Sequence, residues 1–331
     1  MIHALNIDSD EAIWQGILRS SVRSVVELKH LLELQESQID WVENPEFPLQ
    51  IPRTFIQRME KRNPLDPLLL QVAPSRAELN SFKGYTTDPL IERDFIQSGG
   101  VVKKYANRAL VIATGACPVH CRYCFRRHFD YAANQLADFQ KTLETLAGDP
   151  SIVEVILSGG DPLTLSTSKL DAFVQHLEKL AHIAILRIHT RFPVMIPQRI
   201  TPAFVEILSK TRLKVVVVVH INHPNEIDDS VHRAIQQLRS AQIDVFNQSV
   251  LLKGVNDSVG ILSELMFRVF EIGVVPYYLH VFDPVAGAHH YDTSEKTALA
   301  LWKKLQAQLP GYLVPRLVRE VPHEAAKTIL C

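Results

Sequence analysis

The chain has 331 residues, 47% of them apolar and 21% charged, with a formal net charge of -1 at pH 7. That apolar share suffices for one large buried core, or a core with a smaller lobe, and the near-neutral balance argues against a broad electrostatic platform for nucleic acid or an anionic membrane. No stretch reaches the roughly 20 unbroken apolar residues of a membrane span, and the first residues carry acids where a secretory signal has a basic start, so a cytoplasmic globular protein is expected.

Residues 1–95 read as an N-terminal helical region punctuated by prolines. Its clearest features are a stripe of Val25, Val26, Leu28, Leu31 and Leu32 and an amphipathic stretch over 55–62 ahead of Asn63-Pro64. This region is expected to cap something larger and to hold no site of its own. Over 96–290 the pattern becomes alternating strands and helices. Short apolar runs lie at 109–113, 153–157, 184–188, 215–219, 245–252 and 274–281. The five consecutive valines of the fourth run suit a strand buried on both faces, as in a parallel sheet.

Helical stripes fall between the runs. They are Leu136, Phe139, Leu143 and Leu146; Leu170, Phe173, Val174 and Leu177; Val231, Ala234, Ile235 and Leu238; and Leu262, Leu265, Met266 and Val269. Thr201-Pro202 supplies a hydroxyl cap with proline in the first turn. This alternation predicts an α/β fold, a partial (β/α)6 barrel with its chemistry at the carboxyl ends of the strands. A final segment, 291–331, is expected to close the site.

Three of the four cysteines lie within eight residues, in Cys117-Pro-Val-His-Cys121-Arg-Tyr-Cys124, directly after the first run. A disulfide framework does not suit so long a chain with so few thiols. Thiolates are soft ligands for zinc or for iron–sulfur clusters. A structural zinc site wants a fourth ligand, which His120 or His128 would have to supply. A four-iron cluster on three thiolates instead leaves one iron open to a substrate. One run later, Ser158-Gly159-Gly160-Asp161-Pro162 offers a turn whose glycines let the backbone approach a ligand closely.

The C-x3-C-x2-C spacing resembles the radical S-adenosylmethionine superfamily, in which the open iron of a 4Fe–4S cluster chelates S-adenosylmethionine. The resemblance narrows along Cys124-Phe-Arg-Arg-His-Phe129, Leu157-Ser-Gly-Gly-Asp-Pro-Leu163, Arg191-Phe-Pro-Val194 and Pro197-Gln-Arg-Ile-Thr201. It continues through His220-Ile-Asn-His-Pro-Asn-Glu226, Asn247-Gln-Ser-Val-Leu-Leu-Lys-Gly-Val-Asn-Asp257, Pro276-Tyr-Tyr278 and Lys327-Thr328. Together these resemble the lysine 2,3-aminomutase family over most of the chain. Arg58-Met-Glu-Lys61 and Cys124 to Phe129 are similar to its shorter bacterial branch, which supplies β-lysine for modifying elongation factor P.

The resemblance implies an isomerase that converts L-lysine to β-lysine, and it implies residue roles. Cys117, Cys121 and Cys124 would hold the cluster. Ser158, Gly159, Gly160, Asp161, His220 and Gln248 would meet S-adenosylmethionine. Lys327 would carry a second cofactor, pyridoxal 5′-phosphate, with Lys104 and Arg108 on its phosphate. Lys104 stands where the family has arginine, and Ala325-Ala326 where it has two glycines. Arg126 would clamp the substrate carboxylate, and Asp283 and Glu320 would hold its ε-ammonium; Glu320 replaces the family's aspartate. A second substrate carboxylate would be repelled at that end, which favours lysine over glutamate. Implied partners are a reductant such as flavodoxin or ferredoxin, and a pathway link to elongation factor P and its ligase. No structural zinc is expected, because Ser258 stands where longer members have a cysteine. The alternatives are an aminomutase acting on glutamate or another amino acid, a radical enzyme lacking pyridoxal phosphate, and a non-catalytic metalloprotein.

Overall fold

In the computed structural model, which describes residues 7–134 and 139–331, nine strands hydrogen-bond in sequence order into one curled sheet. β1 (Val101–Tyr105) runs antiparallel to β2 (Arg108–Thr114). From β2 onward the neighbours are parallel through β3 (Glu154–Gly159), β4 (Ile185–Thr190), β5 (Lys214–Val219), β6 (Asp244–Val250), β7 (Val275–His280) and β8 (Arg316–Arg319). β9 (Thr328–Ile329) returns antiparallel to β8. β1 and β9 are the two ends of the row, so the barrel is partial and open.

β2 to β7 are the six strands expected from the apolar runs. The other three were not expected. β1 carries two lysines in five residues and β8 two arginines in four, so neither shows an apolar run, and only pairing with a neighbour makes them strands. Alternation along the parallel strands divides each into two faces. Glu154, Ile156 and Ser158 of β3, Arg187 and His189 of β4, Val216 and Val218 of β5, and Phe246 and Gln248 of β6 turn into a lumen. Their neighbours Val155, Leu157, Leu186, Ile188, Val217, Val219 and Val245 are buried on the outer side.

Helices cover that outer side. Thr167–Glu178 buries Leu170, Phe173, Val174 and Leu177; Asp229–Ser240 buries Val231, Ala234, Ile235 and Leu238; Val259–Glu271 buries Leu262, Leu265, Met266 and Val269. Each large apolar side chain withdrawn in this way contributes roughly 1.5–3 kcal/mol before entropy is counted. In Phe139–Ala147, Leu146 is buried and Phe139 and Leu143 lean on the core, while Leu136 lies outside the described residues. Thr201 caps Pro202–Lys210 by accepting from the Phe204 amide at 3.2 Å.

The N-terminal region is less helical than its sequence suggests. Helices occupy Ile7–Arg19 and Val25–Leu31, followed by single turns at Arg53–Ile56 and Pro67–Leu70 and short 3-10 segments. Seven prolines between 45 and 89 remove amide donors and block longer helices. Val26 stands out of its expected stripe at 66% exposure, whereas Val25, Leu28 and Leu32 are buried. Nor is this region a bystander, since Phe47, Pro48, Leu90 and Glu92 line the lumen. Among the described residues no helix is long and apolar enough to cross a membrane.

Candidate active site

The carboxyl ends of the strands open into a cavity of about 890 Å³, and every site residue expected from the sequence lines it. Cys117, Cys121 and Cys124 sit on the loop after β2, which must be rigid to present three sulfurs together. Its backbone is tied to the N-terminal region: the His120 amide donates to the Gln50 carbonyl at 3.0 Å, the Arg122 amide to the Gln71 carbonyl at 2.9 Å, and the Gln50 side chain to the Cys117 carbonyl at 2.5 Å. Two buried guanidiniums brace the loop from below. Arg122 and Arg127 both grip the carboxylate of Glu78, with Arg122 Nε at 2.8 Å and Arg127 Nη2 at 2.7 Å. Removing one partner from so buried a set leaves an uncompensated charge.

The thiols are free and half-buried. Burial pushes the Cys124 thiol up to about 11, with the neighbouring Cys121 adding to the shift, and raises Cys117 well above its ordinary value. A metal that takes them as thiolates must displace protons, and then supplies the compensating charge. The two histidines that would complete a zinc set face elsewhere. His120 Nδ1 lies 2.8 Å from the Pro48 carbonyl and its ring stacks on Phe47, while His128 Nε2 lies 3.1 Å from the Ala286 carbonyl. Among the described residues no three His, Cys, Asp or Glu side chains converge on a single-ion site.

The glycine turn after β3 is pressed against the cysteine loop. Gly159 has φ +116°, and a Cβ on Gly160 would lie 2.3 Å from the Ala116 carbonyl oxygen, so both positions demand glycine. The Gly160 and Asp161 amides donate to the Thr114 and Ala116 carbonyls at 2.7 and 2.8 Å. Asp161 works inward: its carboxylate accepts from the Leu163 amide, the Thr190 hydroxyl and the Arg191 amide. Burial still lifts its pKa to about 6. Ser158 faces the cavity and accepts from Arg126 Nη1 at 3.1 Å.

Across the lumen runs a ladder of alternating charge. Arg126 forks onto Glu92 through Nε at 2.7 Å and Nη2 at 2.8 Å. Lys104 Nζ lies 3.7 Å from Glu92 and 3.2 Å from Glu320, and Glu320 in turn holds the Lys327 ammonium. Burial opposes ionisation of Glu320, but Lys327 and Lys104 outweigh it and hold its pKa at about 2. Asp283 is different. Burial dominates over the attraction of Lys327 and raises its carboxyl to about 7. Arg108 lays its guanidinium over the Tyr105 ring at 4.4 Å, and Tyr277 and Tyr278 stack with ring centroids 3.7 Å apart. Gln248 of β6 faces the same space.

Residues 111–263 match the radical SAM superfamily. Over 324 residues the chain is 44% identical to an L-lysine 2,3-aminomutase of Haemophilus influenzae, an alignment covering 97% of this chain and 96% of that protein. It is 43% identical over 332 residues to the L-lysine 2,3-aminomutase of Escherichia coli strain K12, covering 100% and 90%. It belongs to the L-lysine 2,3-aminomutase family. A member from Clostridium subterminale is 33% identical over 97% of this chain and 78% of its own.

This lysine 2,3-aminomutase family chain is therefore an enzyme of the isomerase class, and its superfamily implies a 4Fe–4S cluster and S-adenosylmethionine. The donor set fits: three soft thiolates on a braced loop, opening onto a cavity, with no fourth protein ligand closing the set among the described residues. The lumen also holds polar atoms that nothing in the protein satisfies. Nε of Arg187 and Nε2 of His189, His220 and His280 are buried without hydrogen-bond partners, as a wall meant for a polar ligand would be. Burial lowers the pKa of all three histidines, His220 to about 4, so the imidazoles are neutral at pH 7.

Sequence reasoning missed Glu92, Glu78, His189 and His280. Glu92 and Glu78 precede the barrel in a segment with no recognisable pattern, and only the fold brings them to Arg126 and Arg122. The histidines carried a usable signal, since His189 and His280 occupy lumen-facing positions at the ends of β4 and β7.

Proposed function

We propose that this chain is a radical S-adenosylmethionine, pyridoxal-phosphate-dependent 2,3-aminomutase that converts L-lysine to β-lysine. The observation that carries the reading is a single cavity lined by three thiols at one side, the Lys327 amine at another, and charges suited to both ends of lysine. When bound, the cluster with S-adenosylmethionine supplies a carbon-centred radical, and pyridoxal phosphate supplies an aromatic aldehyde that takes up amines and delocalises an unpaired electron.

The chain's own residues bind, orient and exclude water. Cys117, Cys121 and Cys124 hold the iron, and the Ser158 to Gly160 turn shapes the wall beside it. Lys327 offers its amine to the aldehyde, and Lys104 and Arg108, which line the same cavity, are the cations offered to its phosphate. Unpartnered lumen nitrogens and stacked tyrosines support the presence of a flat, polar group there. Arg126 is held by Glu92 through Nε and Nη2 and by Ser158 through Nη1, so a substrate carboxylate would meet a guanidinium already fixed in orientation, exchanging for or sharing these partners. Glu320 already holds one alkylammonium, that of Lys327, so it suits another of the same kind. The same acids disfavour glutamate. The motifs shared with the shorter bacterial branch support a cytoplasmic role in which the β-lysine goes to a ligase acting on elongation factor P.

Asp283 provides the test. With its carboxyl raised to about 7, it is largely uncharged below neutrality and cannot hold an ammonium. The lysine ε-ammonium, with an ordinary pKa near 10.4, stays charged throughout. KM for L-lysine is therefore expected to fall as pH rises from about 6 to 8, and Asp283→Asn is expected to raise KM and flatten that dependence. Steady-state kinetics with L-lysine and with L-norleucine, which lacks the ε-ammonium, check this: a norleucine turnover equal to that of lysine contradicts the substrate assignment.

A further inference from the structure

Arg191, the residue after β4, is 6% exposed and held from three directions. Its Nε donates to the His220 carbonyl at 3.3 Å, and its Nη2 donates to Gln71 Oε1 at 2.6 Å and Glu226 Oε2 at 3.0 Å. Glu226 is fully buried and further fixed by the Asn222 and His223 amides and by Gln71 Nε2. The one remaining edge of the guanidinium, Nη1, donates to the sulfur of Cys121 at 2.8 Å. Neither of the other two cysteine sulfurs receives such a contact from a charged side chain among the described residues. Glu226 accounts for burying the cation, but a neutral thiol gives little reason to aim its Nη1 at the Cys121 sulfur. A thiolate bound to iron gives a strong one, because the cluster and its ligands carry negative charge that grows by one on reduction in a site shielded from water.

We propose that Arg191 tunes the reduction potential of the cluster, donating a hydrogen bond from Nη1 to the Cys121 sulfur and so favouring the reduced state. The inference rests on the reading of the three cysteines as cluster ligands. The step it affects is the gain of one electron from a low-potential one-electron donor, with no bond broken and no proton moved. Hydrogen bonds to ligand sulfurs and fixed nearby charge are the means by which a protein shifts such potentials. Glu226 offsets part of the cation's field, but it bonds to Nη2, whereas Nη1 donates directly to the sulfur. The nearer donor therefore decides the sign.

The experiment is an anaerobic redox titration of the full-length, iron-reconstituted protein, read by the electron paramagnetic resonance of the reduced cluster with dithionite as donor. Iron and sulfide are assayed on the same samples. At the poise that half-reduces the wild type, Arg191→Gln is expected to show an about tenfold lower ratio of reduced to oxidised cluster at equal iron content, a midpoint about 59 mV lower for one electron. Arg191→Lys, which keeps the charge and one donor, is expected to fall between. Because Arg191→Gln strands Glu226, the double change Arg191→Gln with Glu226→Gln removes both charges together and is expected to lower the midpoint as well. Iron-loaded variants with the wild-type midpoint overturn the assignment. Loss of iron from every variant also overturns it, making Arg191 a folding residue. A wild type that takes up no iron sinks the cluster reading itself, a result distinct from an unchanged midpoint.

Discussion

Cys124→Ala is expected to lose its cluster iron and to cut turnover at least about 10³-fold, to background. Two thiolates do not retain a four-iron cluster, and no neighbour stands ready to replace the third: His120 and His128 are engaged with backbone carbonyls. The fold should survive the change. The loop is held by Arg122 and Arg127 on Glu78 and by backbone bonds to Gln50 and Gln71, none of which uses the thiol. Iron analysis, deoxyadenosine release and circular dichroism on one anaerobic preparation check the result. Native dichroism with no iron and no deoxyadenosine supports the account, and retained iron with full turnover contradicts it.

Lys327→Ala is expected to abolish formation of the rearranged product, again at least about 10³-fold, while leaving the iron in place. The Lys327 amine enters the lumen from the residue just before β9 and meets Glu320. When it is removed, Glu320 keeps Lys104 as its counter-ion at 3.2 Å, so no carboxylate is left without a partner. Arg126, two residues from Cys124, and Lys327 are the two ends of the ladder, so the cysteine loop is not held through Lys327. Reconstitution with pyridoxal phosphate is expected to give the wild type a visible absorbance band that the variant lacks, with equal iron in both. A variant that keeps both the band and the product would show that the amine serves only Glu320.

The cysteine triad, the glycine turn and the six parallel strands were legible because each is local: spacing, a short turn, or an apolar run. The residues that organise the site were not, because their partners are distant in sequence. Glu92 meets Arg126 across 34 positions, Glu78 meets Arg122 across 44, and Arg191 meets Cys121 across 70. No periodicity marks such pairs. The N-terminal region was legible as a cap but not as a contributor, since Glu92 and Phe47 resemble any exposed loop residues until the barrel mouth is seen beneath them. β1, β8 and β9 escaped notice for a related reason: β1 and β8 carry charges on both faces, with Lys104 and Arg316 on the lumen and Lys103 and Arg319 paired to Asp149 and Glu295, and β9 is only two residues long, so none shows a continuous apolar run. Lys327 was recognisable only by resemblance, because a lysine beside Ala325 and Ala326 carries no pattern of its own.

The most direct measurement incubates the anaerobically reconstituted protein with L-lysine, S-adenosylmethionine, pyridoxal phosphate and dithionite, and resolves the amino acids by chromatography. β-Lysine is expected to accumulate, and to vanish when S-adenosylmethionine or the reductant is withheld. A fully iron-loaded, pyridoxal-loaded protein that leaves L-lysine unchanged would contradict the proposed function.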